Sequence, residues 1–298
     1  MNVANALCRS LCCLTISLAV ACAADIPSQD IGFQPDPLLK QGFDLLYIQK
    51  FPEGRDKFKE WIAQHPDEPF GPTALAASYL FEEFYRQGVL TSEFFTNDKR
   101  FLRGIEGRAN PERVRNFDDA VNQSRRLASA KMAKDPKDPS ALFALTLDAG
   151  MESDANSILL KKPLDSLKYL KEANSMASQL LAIKPDATDA YVALGSANFI
   201  IGSLSGGARF MLWFGGIHGD KNLGIEQVKK SADDGLYLKP FAKILLALAA
   251  RREKKEDMAK LYLKQLTDDY PASPAFAAEY AKAMGRPVPS EMVPATSQ

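Results

Sequence analysis

Four prolines set the rhythm of this chain. Pro66, Pro136, Pro185 and Pro271 each follow marked residues twelve, eight and five positions upstream. Before Pro66 these are Gly54, Phe58 and Trp61; before Pro136, Ser124, Ala128 and Lys131. Before Pro185 they are Ala173, Ala177 and Leu180; before Pro271, Ala259, Leu263 and Leu266. Intervals of four and three put such residues on one face of an α-helix. The small residue that opens each face lets a second helix come close. The proline closes the helix because it cannot donate to the preceding turn. A series of paired helices follows from this spacing.

Helix starts carry the same message. Asp36-Pro37, Asn110-Pro111, Asp138-Pro139 and Ser273-Pro274 each place a side-chain acceptor before a proline suited to a first helical turn. A first pair is expected over residues 37–49 and 53–65, with Gly42 and Gly54 where the helices cross and Phe58 and Trp61 filling the space between neighbours. Long helices are expected from Pro111 to Lys134 and from Pro163, and a last clear pair over 240–252 and 255–270. The prolines stand 70, 49 and 86 residues apart, so the array is irregular, with inserted material at 88–109 and 203–221. The first insert mixes Phe94, Phe95 and Phe101 with Arg100 and Arg103, which reads as short helices over the surface. Residues 24–35 read as an extended linker and 285–298, rich in proline, serine and threonine, as a flexible tail. No alternation of apolar and polar residues marks a strand.

The proline-closed pattern resembles the second helix of a tetratricopeptide repeat, a unit of about 34 residues. Carrying the register past the prolines gives Leu75, Ala76 and Tyr79, then Leu142, Leu145 and Thr146, then Tyr191, Leu194 and Gly195 for the following first helices. The resemblance covers nearly all of residues 36–284. It implies an all-α fold, a right-handed superhelical α-solenoid of irregular helix pairs, about a dozen helices in all. Residues 215–271 are also similar to the eukaryotic tetratricopeptide-39 and inclusion-clearance family, through a glycine-rich break with Gly219-Asp220 ahead of a helix pair at 224–234 and 241–252. That family implies lipid and aggregate handling through protein interactions. It lacks a leader like the one at the start of this chain, which points instead to an exported bacterial relative.

The leader spans residues 1–23. Arg9 is its single charge, residues 11–20 are apolar, and Ala21-Cys22-Ala23 fits a small-x-small cleavage pattern. All four cysteines lie inside it, so cleavage leaves a chain without disulfides or thiolates. Cleavage also leaves 36 basic against 37 acidic residues, a balance that supplies no field for nucleic acid. Ala19-Val20-Ala21-Cys22 loosely matches a lipidation site without its usual leucine. The expected location is periplasmic, with an outer-membrane lipoprotein, and hence membrane contact, only if Cys22 is lipidated.

Repeat proteins bind along the concave face of their first helices. Projecting the register onto that face gives Phe43, Tyr47, Phe70, Phe81, Phe143, Met151, Phe199, Phe241 and Arg252. The lining is aromatic rather than basic, so a carboxylate clamp is not expected. It reads as a groove for an apolar peptide, an amphipathic helix or a lipid tail, or as ordinary core if extra helices fill it. Phe210, Trp213 and Phe214, bounded by glycine pairs, read as a flap or as a buried helix between tight turns. The run 215–221 has no preceding strand and no Lys-Ser/Thr ending, so it reads as a turn with Asp220 as N-cap rather than a phosphate loop.

His65 and His218 are the only histidines and stand in no cluster that would hold zinc. Glu82 and Glu83 point about 100° apart on a helix, so they do not address one substrate, and Glu82 forms an i,i+4 pair with Arg86. The basic run from Arg251 to Lys255 is interrupted by Glu253 and reads as a solvated face. The expected role is a non-enzymatic interaction or scaffold module of the bacterial cell envelope, with a protein or peptide partner and no cofactor. The alternative is a carrier enclosing an apolar, lipid-like ligand.

Overall fold

Four of the expected caps form. The Asp36 carboxylate accepts from the Leu38 and Leu39 amides, Asn110 from Glu112 and Arg113, Asp138 from Ala141, and Ser273 from Phe276. Asp220 caps in the same way, accepting from Asn222 and Leu223. Each satisfies amides that a helix start leaves without an internal partner. The computed structural model describes residues 32–203 and 219–288. The leader with Cys22, the flap residues Phe210, Trp213 and Phe214, His218 and residues 289–298 of the tail lie outside the described residues.

The described chain is all-α, with thirteen α-helices and no strand. These are α1 (Pro37–Tyr47), α2 (Phe51–Gln64), α3 (Phe70–Arg86), α4 (Ser92–Thr96), α5 (Asp98–Arg103), α6 (Pro111–Met132) and α7 (Pro139–Asp154). A π-helical turn, Ala155–Leu159, extends α7. There follow α8 (Pro163–Ile183), a 3-10 turn (Thr188–Ala190), α9 (Tyr191–Gly202), α10 (Lys221–Asp234), α11 (Lys239–Arg252), α12 (Glu256–Asp269) and α13 (Pro274–Ala283). Helices pair as α1 with α2, α3 with α6, α7 with α8, α9 with α10, and α11 with α12, while α2–α3, α6–α7, α8–α9 and α10–α11 contacts join one pair to the next.

Eleven of the twelve residues marked upstream of the prolines are buried. The twelfth, Lys131, is half-buried and its Nζ lies 2.7 Å from Glu68 Oε1. Small residues sit where helices touch. A methyl on Gly42 would fall 2.3 Å from the Phe58 ring, and one on Gly195 would fall 2.5 Å from Val228 Cγ2 and 2.8 Å from the Gly224 carbonyl. Full burial of Phe58, Trp61, Phe70 and Phe143 contributes about 2–3 kcal/mol per side chain.

The first insert does not lie over the surface. Val89, Phe94 and Ile105 are buried and join Phe84, Phe117 and Leu159 in a second core. The insert also reaches the far end of the chain. Ser92 N donates to Glu279 Oε2 at 3.2 Å, Arg251 Nη1 donates to Ser92 Oγ, and Lys282 pairs with Glu93 at 2.9 Å. On another face Tyr47 donates to the Tyr237 carbonyl at 2.9 Å and Tyr270 to Asp44 Oδ1 at 2.8 Å. Helices from α11 onward are thus tied back to α1 and to the insert.

Candidate functional site

The aromatic groove residues fall into the core. Phe43, Phe70, Phe143 and Met151 are buried, and Phe43–Phe70, Phe70–Phe143 and Phe81–Phe241 ring pairs lie 6.1, 5.0 and 5.5 Å apart. What covers the first three is not an inserted helix. Tyr237, from the turn between α10 and α11, stacks 5.3 Å from Phe43 and 5.5 Å from Phe70, and Phe33 lies 5.4 Å from Phe143. Residues 32–35, expected as linker, thus end in a ring that packs on the core. Tyr47 and Phe81 are half-buried against the same cluster, and Phe241 belongs to a separate one around Val228 and Leu246. Phe199 is half-buried on α9, where its backbone faces Gly224, and Arg252 donates from Nη1 to the Phe95 carbonyl at 2.6 Å. An open apolar groove is therefore replaced by packed rings, because burying adjacent aromatic faces recovers more free energy than leaving them to water.

The turn that fills this space is anchored by one carboxylate. Asp189, buried at 4% exposure, accepts from the Leu236, Tyr237 and Leu238 amides at 3.0, 2.8 and 3.2 Å. Burial pushes its carboxyl up to about 6, against the pull of those amides.

The open site lies elsewhere, where α3, α6, the π turn and α8 converge. The i→i+5 bond from Leu160 N to the Ala155 carbonyl inserts one extra residue into the end of α7. Its Ile158 carbonyl turns to accept from Ile105 N at 3.1 Å. Gly104 makes this contact feasible: its φ is +72° and a Cβ would stand 2.4 Å from that carbonyl oxygen. The displaced turn leaves a cleft of about 190 Å³. Leu80, Val114, Phe117, Ala155 and Leu159 supply apolar wall, and Glu83, Arg113, Asp118, Glu152, Asn156 and Tyr169 supply polar groups.

Arginine holds the carboxylates of its walls. Arg113 donates from Nε to Glu83 Oε2 at 2.7 Å, and its Nη1 lies 3.3 Å from Glu82 Oε1. Adjacent glutamates therefore do meet one guanidinium, although they leave the helix in different directions. Glu82 also takes Arg55 at 2.7 Å and the expected Arg86 at 2.8 Å, which together hold its carboxyl below the usual range despite burial. On the opposite wall Arg125 bridges Glu152 and Glu172, binding Glu152 through Oε2 alone. Burial raises the Glu152 carboxyl in spite of Arg125. Asp118, exposed at the mouth, is raised by partial desolvation and then by Asp119. Tyr169 is raised by desolvation and then by the Glu152 charge. Asn156 spends its Nδ2 on the Glu152 carbonyl at 2.8 Å.

One further buried group lies nearby. Ser124 donates to Asp148 Oδ2 at 2.6 Å and stands 2.8 Å from Thr73 Oγ1, with all three residues at 0–1% exposure. Asp148 Oδ1 has no hydrogen-bond partner among the described residues, and burial pushes this carboxyl up to about 8. No solvent reaches the serine, so the trio acts as a structural polar plug. His65 stacks on Trp61 at 4.3 Å just past the end of α2. Among the described residues no three histidine, cysteine, aspartate or glutamate side chains converge as a metal set, and no helix is long and apolar enough to cross a membrane.

Of the cleft residues only Tyr79 and Glu83 entered the sequence reading, one as a register position and the other as half of an acid pair, and the cleft itself escaped it. Its acids and bases are paired across 27 to 47 positions, and a π turn leaves no periodic mark. Comparison with known protein families, with curated proteins and with solved structures returns no match.

Proposed function

We propose that this chain is a non-enzymatic interaction module of tetratricopeptide-like helix pairs, exported into the bacterial cell envelope. In this reading it receives a protein partner at the cleft between α3, α6 and α8 rather than along an aromatic groove. The observation that carries it is the placing of open apolar surface: Leu160, a wall of the cleft, is 44% exposed, and Leu164 on the first turn of α8 is 80% exposed. One exposed leucine is ordinary on a protein surface, but two within one turn's span of each other, one of them in the wall of a concavity, make this the favoured place for a partner. Glu83 and Glu152 are clamped by arginines, an arrangement that stiffens walls rather than moves protons. The space an enclosed lipid-like ligand needs between the first helices is taken by Phe33 and Tyr237.

The test is in-cell photocrosslinking with a photoreactive residue at Leu164, beside a control at exposed Lys229 on α10. A discrete protein adduct from Leu164 alone, lost when Leu160→Ser is added, is the expected result. Equal labelling from both positions refutes the module at this surface. The leader is tested by mass spectrometry of the chain from the envelope: a start at Ala24 is expected, and a lipid-modified Cys22 would place it on the membrane.

A further inference from the structure

Resting on that reading, we infer that the cleft takes one lysine or arginine side chain of the partner, presented beside an apolar residue that seats on Leu160. Size comes first. About 190 Å³ falls short of the roughly 300–1,000 Å³ that drug-sized ligands occupy and exceeds the ~150 Å³ that holds one benzene. One long side chain fits. The deep wall of Leu80, Val114, Phe117 and Leu159 suits an aliphatic stem, which lysine and arginine bury while their charged heads stay with polar groups.

The polar groups then select the head. The charged donor of the cleft is spent on the protein itself, Arg113 Nε on Glu83, and Asn156 Nδ2 donates to the Glu152 carbonyl, which leaves neutral hydroxyls at Tyr79 and Tyr169. Acceptors are left over. Arg125 engages only Oε2 of Glu152, so Oε1 stays open. The Asp118 side chain makes no ion pair or hydrogen bond among the described residues and faces the like charges of Asp119 and Glu152. Subtracting the pairs leaves Asp118, and the surplus of Glu152 and Glu172 over Arg125, as negative charge on one wall, while on the α3 wall Arg55, Arg86 and Arg113 outnumber Glu82 and Glu83 by one. The raised carboxyls of Asp118 and Glu152 and the raised Tyr169 phenol accord with such a field, burial or desolvation being the larger cause in each. A cation with several donors suits the open carboxylates of this set, and an anion does not.

The experiment titrates the folded chain with N-acetyl-Leu-Arg-amide, N-acetyl-Leu-norleucine-amide and spermidine. It follows the methyl resonances of Leu80, Val114, Leu159 and Leu160, with exposed Leu261 on α12 as reference. The arginine peptide is expected to shift the four cleft methyls and leave Leu261 in place. Asp118→Asn, at an exposed and unpaired position, is expected to weaken that binding roughly three- to fivefold, the weight of one exposed ion pair. Equal shifts from the norleucine peptide, or no effect of Asp118→Asn, overturn the inference. So does spermidine that saturates the same methyls while the arginine peptide does not, which would make the cleft a site for free amines. A Leu164 adduct whose contact segment holds no lysine or arginine overturns the inference and leaves the interaction module standing. Cleft shifts by the arginine peptide without any Leu164 adduct uphold the chemistry here and refute the module.

Discussion

Asp148→Asn isolates a fully buried carboxyl that makes no ion pair and, among the described residues, has no partner for Oδ1. Its folded-state value of about 8 stands against an ordinary value of 3.8. The carboxyl is raised, so the folded chain holds a proton that the unfolded chain has lost between about pH 4 and about pH 8. Stability tied to this group is therefore complete below about pH 4, declines by ~1.4 kcal/mol per pH unit as pH rises, and is gone above about pH 8. Between about pH 6 and pH 9 the native chain should lose roughly 2–3 kcal/mol from Asp148 alone. Asparagine keeps an acceptor for Ser124 and carries no charge at either pH. The variant should match the native chain within about 1 kcal/mol near pH 4, exceed it by roughly 3 kcal/mol near pH 6, and exceed it by roughly 5–6 kcal/mol near pH 9. Urea unfolding followed by circular dichroism at the latter two values reads this as a midpoint gap that widens by about 1 M. Asp189, also raised, titrates in both proteins and cancels from the difference, whereas Glu152 helps to raise Asp148 and is eased by the substitution. Parallel pH profiles for the two chains would refute the assignment of a buried, protonated Asp148.

Three further outcomes follow from named contacts. Gly195→Ala forces a Cβ against Val228 and the Gly224 carbonyl and should cost about 2–3 kcal/mol; Gly150→Ala, with nothing within 4 Å, should stabilise α7 by ~0.5–1 kcal/mol, and similar unfolding midpoints for the pair would contradict the close helix crossing. Asp189→Ala strands one buried and two half-buried amides and should cost about 3 kcal/mol, with hydrogen exchange at Leu236, Tyr237 and Leu238 rising well ahead of that in α3; unchanged protection there would show the turn is held by packing alone. Arg113→Met removes the cation nearest Glu83 and should destabilise by about 3 kcal/mol, a loss recovered in part by Glu83→Gln in the same chain; additive losses in the double variant would disprove the pairing.

Helix identity was legible because its causes are local. Prolines 66, 136, 185 and 271 lie two to four residues past the ends of α2, α6, α8 and α12, and the expected caps bond within three residues of themselves. Boundaries drifted by one to three residues where fraying decides them: α1 ends at Tyr47 rather than 49, and α10 begins at Lys221 rather than 224. The close crossing at Gly42 and Gly54 was also readable, since only a small residue permits it.

Which apolar face stays open was not readable. Phe43, Phe70 and Phe143 have the same helical spacing whether a partner covers them or the chain does, and the cover comes from Tyr237, whose carbonyl accepts from Tyr47 at a separation of 190 residues. The first insert showed its phenylalanines and arginines in sequence, but not that Phe94 is buried while Ser92 reaches Glu279. The cleft depends on a carbonyl–amide contact between Ile158 and Ile105 and on which carboxylate each arginine selects. The sequence by itself determined where helices start, stop and turn an apolar face, because capping and the 3.6-residue period act within a turn or two of chain. The tertiary structure alone decided which of those faces are filled and which acids are buried or left open, because burial and pairing depend on residues that meet only after the chain has closed on itself.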